Sequence, residues 1–137
     1  MRHIVINLIL LFSFILASCQ NDNMIIGTKW IAEHKMMHRT DTLTFNSEDS
    51  FTLYDCETSW HYDGKYRASG DTIFLEIILQ QLEVDNYKDL EPTAFWTLIN
   101  HNDYLKLEYL GHKRGGEIIE VPDEAYEMIG NFKKLKQ

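Results

Sequence analysis

The sequence predicts a mainly β fold: an antiparallel, up-and-down barrel of about eight strands with a short C-terminal helix. Three observations lead there. From residue 42 onward, apolar residues alternate with polar ones over most of the chain, which is the period of a strand with one buried face. Turn residues interrupt these runs about every eight to twelve positions, the spacing of a sandwich or barrel. Neighbouring runs are joined by short reversals, and closing such a meander removes its exposed edges.

Leu43 and Phe45 alternate with Thr42 and Thr44, and Phe51 and Leu53 with Thr52 and Tyr54. Asn46-Ser47-Glu48-Asp49 supplies turn chemistry between them, so the stretch reads as a hairpin. Trp60-His61-Tyr62 and Lys65-Tyr66-Arg67-Ala68 flank Asp63-Gly64. That dipeptide suits the positive φ angles of a tight turn, so a second hairpin is expected there. Ser69-Gly70-Asp71 is another reversal, and Thr72 to Leu79 a strand rich in β-branched and aromatic residues. Gln80 to Pro92 is acidic and irregular and reads as a long loop or short helix. Thr93 to Ile99 is a strand and Asn100 to Asp103 a turn. Tyr104 to Leu110 is a strand with Leu105, Leu107 and Tyr109 on one side, and Gly111 to Gly116 a loop. Glu117 to Val121 is a short strand stopped by Pro122. Ala125, Met128 and Ile129 then have helical spacing, with Gly130 as a stop. Phe132 and Leu135 fit a last short strand.

The start of the chain reads differently. Arg2 gives it positive charge, and Ile4 to Leu16 is almost wholly apolar. That run falls short of the about 20 residues that span a bilayer, so it reads as a secretory signal. It ends in Leu16-Ala17-Ser18-Cys19, which resembles the lipobox of bacterial lipoproteins. The resemblance implies cleavage before Cys19 and acylation of that cysteine, palmitate being one such chain, with the protein anchored in the cell envelope at the outer membrane. Residues 1–18 are then the signal, 19–24 a polar tether and 25–137 one domain. Lipid on Cys19 leaves Cys56 without a partner, most simply as a small buried apolar residue. Asp55 and Glu57 beside it discourage a thiolate.

Without Arg2, 12 basic residues face 21 acidic ones, a net charge of −9. An acidic domain repels phosphate backbones, so no nucleic-acid partner is expected. The same charge opposes adhesion of the protein body to anionic lipid, which leaves anchoring to the acyl chains.

Ile26-Gly27-Thr28-Lys29-Trp30 is a G-x-x-W approach to the first strand. It looks like the opening of lipocalin-like proteins, whose usual form is G-x-W. Asp63-Gly64-Lys65-Tyr66, with Gly70-Asp71-Thr72-Ile73 after it, is similar to small lipocalin-like lipoproteins of the Bacteroidetes type. The resemblance implies an eight-stranded barrel in which Gly27 and Trp30 close one end. It also implies a basic residue from the last strand beside Trp30, for which Arg114 and Lys133 are candidates. Such a barrel is just wide enough for side chains or one small ligand. Trp60, Tyr66, Phe95 and Tyr109 are expected to line a pocket, and a barrel filled by its own rings is the alternative.

Other chemistry is sparse. On one strand, His34, Met36 and His38 would share a face, and imidazole with thioether suits copper. Core methionine and exposed histidines explain the same residues without a metal. His61 with Asp63, and His101 with Asp103, fall at expected turns. The chain has no G-x-S-x-G, H-E-x-x-H or glycine-rich phosphate loop, so neither enzyme chemistry nor a cofactor is indicated. Glu117, Glu120, Asp123, Glu124 and Glu127 form an acidic stretch, suited to a solvated face, a basic protein partner or loosely held calcium. The expected function is binding of a small or apolar ligand near a membrane. The alternative is an inhibitor or immunity factor that docks on a basic protein.

Overall fold

A computed structural model describes residues 25–78 and 91–136 of the chain. The signal segment, Cys19, the tether and most of the stretch 80–92 lie outside the described residues.

β1 (Lys29–His34), β2 (Arg39–Phe45), β3 (Ser50–Asp55), β4 (Trp60–Ser69) and β5 (Thr72–Ile77) are antiparallel neighbours in chain order. β6 (Ala94–Asn100) and β7 (Tyr104–Arg114) continue the meander. β8 (Glu117–Glu120) folds back on the end of β7. A short helix, α1 (Asp123–Met128), leads to β9 (Phe132–Lys134). β9 pairs with β7 on one side and β1 on the other. The ring thereby closes as an antiparallel barrel of eight strands, and β8 lies outside it as an extra strand.

The period-two pattern decides what faces inward. Trp30, Ala32 and His34 of β1 are buried, as are Asp41, Leu43 and Phe45 of β2 and Ile73, Leu75 and Ile77 of β5. The residues between them are exposed or half-buried. Burying each such apolar side chain contributes about 1.5–3 kcal/mol, the main drive for closing the ring.

Two local readings of the sequence are corrected. Asp63-Gly64 is no turn: β4 runs unbroken through it, with Gly64 paired to Phe51 on one side and Ile77 on the other. A Cβ at Gly64 would lie 2.6 Å from the Phe51 ring and 2.2 Å from the Glu76 carbonyl oxygen. The glycine is therefore needed for close packing inside the barrel, not for a reversal. The second correction concerns β7. Thr97 pairs with Tyr109 but Leu98 pairs with Leu107, so Glu108 is an extra residue in a β-bulge. The alternation slips there, so that Leu105 and Leu107 face inward, then Leu110. Tyr109 is turned to the outer face. β7 also continues through Gly111–Arg114, expected as loop, because β8 pairs with those residues.

At one end of the barrel, aromatic side chains pack together. The Phe45 and Tyr66 rings meet edge to face at 4.7 Å, and the Tyr66 hydroxyl donates to the Ser47 carbonyl at 2.7 Å. Trp30 is buried to 1% exposure, and its indole N–H donates to Thr28 Oγ1 at 2.8 Å. Gly27 has φ +74°, a conformation that favours glycine, and its N–H donates to the Phe45 carbonyl at 2.8 Å. The basic residue beside Trp30 is Lys134 of β9, with Nζ 5.6 Å from the ring centroid. Neither expected candidate stands there. Lys133 pairs with Ile31 and so has the opposite phase to Trp30, and Arg114 ends β7 beside Glu117.

Candidate functional site

The other end is not filled. Inside the barrel is a partly open cavity of about 240 Å³. Leu53, Ala94, Trp96 and Leu110 form its apolar wall, and Ala125, Met128 and Ile129 cover it from α1 and the residue after it. Its polar lining is His34, Asp41, Asp55, Glu57 and Tyr62. Wider recesses, of about 750 and 590 Å³, lie on the outside of the molecule. The first is lined by Thr28, Asp103, Lys134, Leu135 and Lys136, and the second includes His38. The inner cavity is the stronger candidate because buried polar groups converge on it.

Local sequence explains its cover. β9 pairs with β7 only at Tyr104 and Leu105, and β8 pairs with it only from Gly111 on. Between these points α1 stands beside β7 in place of a strand. Tyr126 ties it down: its hydroxyl accepts the Leu110 N–H at 2.8 Å and donates to Glu120 Oε1 at 2.8 Å. Asp123 and Glu124 in the first turn favour the helix by facing its positive end. At the far end of α1, the Met128 carbonyl accepts the Lys35 N–H at 3.2 Å, and Ile129 bridges His34.

His34 is 6% exposed, and its Nδ1 has no hydrogen-bond partner among the described residues. A buried polar atom without a partner costs about 1–3 kcal/mol, so this one calls for a group to meet it. Asp41, one step along the same inner face of β2 from Leu43, is 4% exposed. Its Oδ1 accepts the backbone N–H of Cys56 at 2.8 Å. Among the described residues the ion pairs are Lys106–Glu108 and Lys113–Glu91, both at the surface, and neither includes Asp41. Tyr62 donates its hydroxyl to Thr58 Oγ1 at 3.2 Å. Asp55 caps the β3–β4 turn by accepting the Glu57 N–H at 2.8 Å.

Cys56 sits beside the cavity, fully buried and free. Burial first, then its contact with the Asp41 carboxylate and the charge of Asp55, pushes its thiol up to about 12. It is therefore a neutral packing group at physiological pH and no nucleophile.

The pocket residues expected from the sequence do not come together. Tyr66 is in the packed end, on the Ser47 carbonyl. Trp60, at the first position of β4, is exposed at the barrel rim. Phe95 has the opposite phase to Ala94 and Trp96, which line the cavity. Tyr109 lies on the outer face, its ring over Gly111. His34, Met36 and His38 are likewise separated, because Lys35–His38 is the β1–β2 turn and not strand. His34 faces the cavity, Met36 is 70% exposed, and His38 lines the outer recess. Among the described residues, no three His, Cys, Asp or Glu side chains are grouped to hold a metal ion.

Asp41, Tyr62, Trp96 and Leu110 were not expected at a site. For Asp41 a signal was present: it shares the period-two phase of Leu43 and Phe45, which places a carboxylate among core positions. Leu110 was hidden by the bulge.

No protein-family model, no curated protein and no solved structure matches this chain.

Proposed function

We propose that this protein is a lipid-anchored lipoprotein of the cell envelope that binds a small ligand, without chemistry, in the cavity beneath α1. The observation that carries the reading is a mostly apolar cavity whose lining includes two buried polar side chains, Asp41 and His34, the latter with an unpartnered Nδ1. A cavity of about 150 Å³ is enough to hold benzene, so about 240 Å³ suits a single ring or a short branched chain. The lipobox-like Leu16-Ala17-Ser18-Cys19 supports the anchor, and the resemblance to small lipocalin-like lipoproteins supports the same class. Lipid on Cys19 would hold the domain on a few tether residues, so its ligand would be met at the membrane surface.

Native mass spectrometry of the full chain, extracted from envelope membranes in detergent, tests the binding claim. A small organic molecule released at one per chain supports it. Chains that are uniformly empty, and that stay empty when offered membrane extract, contradict it. Replacing Cys19 with Ser tests the anchor, since the variant should leave the membrane fraction.

A second reading has one observation in its favour. All four residues of β8 are exposed, Ile118 and Ile119 among them, and β8 pairs with no strand but β7 among the described residues. Flanked by Glu117 and Glu120, this edge could take an extended, basic segment of a partner protein as an added strand. Cross-linking from β8 in intact envelopes, with identification of a stoichiometric basic partner, would favour it over the first reading.

A further inference from the structure

We infer that the cavity beneath α1 takes a small organic cation: a protonated amine carried on a short aromatic or aliphatic body. This deepens the ligand-binding reading above and rests on it.

Besides the phenol of Tyr62, four ionisable side chains line the cavity, namely His34, Asp41, Asp55 and Glu57. Three are acids, and no Lys or Arg is among the lining residues. An anionic head group would meet like charge from each of the three carboxylates, with His34 the one basic side chain in the lining. A cationic one meets the reverse.

Asp41 sharpens this. A carboxylate at 4% exposure is costly to bury unless a positive charge or several donors meet it. The protein supplies the Cys56 backbone N–H and the neighbouring thiol, but no cation among the described residues. An ammonium would supply the missing charge.

His34 adds an independent observation. Its Nδ1 is buried and unpartnered, and His34 is one of the residues lining the same space. A neutral imidazole offers one acceptor nitrogen, and an ionised carboxylate offers only acceptors, whereas a primary ammonium offers three donors and no acceptor. The polar side of the cavity and the head group are therefore complementary in hydrogen bonding as well as in charge. The rings of Trp96 and Tyr62 also line the space, and aromatic faces attract cations. Leu53, Leu110 and Ala125 are left to receive the apolar body. A neutral alcohol would fill the same space with one donor and no charge.

Benzylamine, benzyl alcohol and benzoate share a ring and differ in head-group charge, so they separate these cases. Each is titrated by calorimetry into the full chain, purified from membranes in detergent, against matched detergent. Charge-assisted hydrogen bonds should make benzylamine bind about tenfold tighter than benzyl alcohol, with no heat from benzoate. Asp41→Asn keeps an oxygen for the Cys56 N–H but removes the charge, and should reduce that preference to about threefold or less. Glu57→Gln removes a more exposed lining charge and should weaken benzylamine about twofold. If all three probes bind alike, the cation inference is overturned while the ligand-binding reading stands. If benzoate binds best, it is overturned outright. If none binds, the inference falls, and the molecule released in native mass spectrometry then decides the broader reading separately.

Discussion

Lys134 holds its ammonium 5.6 Å from the centroid of the Trp30 ring, and the two residues pair directly between the first and last strands of the barrel. The pairing closes the ring between its first and last strands. Its two members should differ sharply in energetic weight. Trp30 is a large ring buried to 1% exposure, and truncating it to Ala should cost about 3–5 kcal/mol. Lys134 is exposed, and Lys134→Ala should cost no more than about 1 kcal/mol. Urea unfolding of both variants checks this. A loss at Lys134 as large as that at Trp30 would mean that the cation, not the ring, secures the closure.

Gly64 should resist even the smallest side chain. A Cβ there meets the Glu76 carbonyl oxygen at 2.2 Å, and backbone cannot swing away as a side chain can. Gly64→Ala should therefore destabilise the domain by about 1–3 kcal/mol, as overpacking does. By contrast Gly70, in the β4–β5 turn with φ +61°, has open space where a Cβ would go. Gly70→Ala should suffer only the backbone strain of its left-handed conformation, about 1 kcal/mol. Thermal unfolding of the pair tells crowding from conformation.

Cys56 should be silent in the native state. With its thiol pushed up to about 12, it should not react with maleimide at pH 8 until urea unfolds the chain. The folded state holds the proton more tightly than the unfolded one, so this group's contribution to stability is intact below about pH 9. It is lost progressively as pH rises toward 12, because the unfolded thiol ionises first. The Cys56→Ala variant should show a flatter decline over that window in chemical unfolding.

Tyr126 should control the cover of the cavity. Tyr126→Phe leaves the Leu110 N–H without its acceptor and Glu120 without its donor, which should cost about 1–3 kcal/mol. Amide exchange at Leu110 and through α1 should accelerate, while exchange at Leu43 in the packed end stays slow. Uniform acceleration would show that α1 is no separate cover.

Much of the barrel was legible because its signal is local. Leu43, Phe45, Phe51 and Leu53 carry a strict alternation, and the expected hairpin across 46–49 is the β2–β3 connection. The C-terminal helix and the last strand at Phe132 likewise appear where helical spacing and Gly130 indicated. What was missed depends on partners distant in sequence. Asp63-Gly64 has the composition of a turn, and only Phe51 across the sheet shows why a glycine stands in mid-strand. The bulge at Glu108 exists through the register with β6, and it turned Tyr109 outward and Leu110 inward. The cavity was misplaced for a related reason. Counting large rings finds the packed end, whereas the open end is marked by polar residues in core phase, His34 and Asp41.

The most direct test of the cavity uses the chain's three tryptophans as reporters. Trp96 lines the cavity, Trp30 is buried and not among its lining residues, and Trp60 is exposed at the rim. Indole N–H resonances are followed by NMR while benzylamine, or the molecule recovered from membranes, is added to the ¹⁵N-labelled chain. The Trp96 resonance should shift and saturate while those of Trp30 and Trp60 stay in place. A saturable shift at Trp60 or Trp30 with Trp96 unmoved would contradict binding in this cavity.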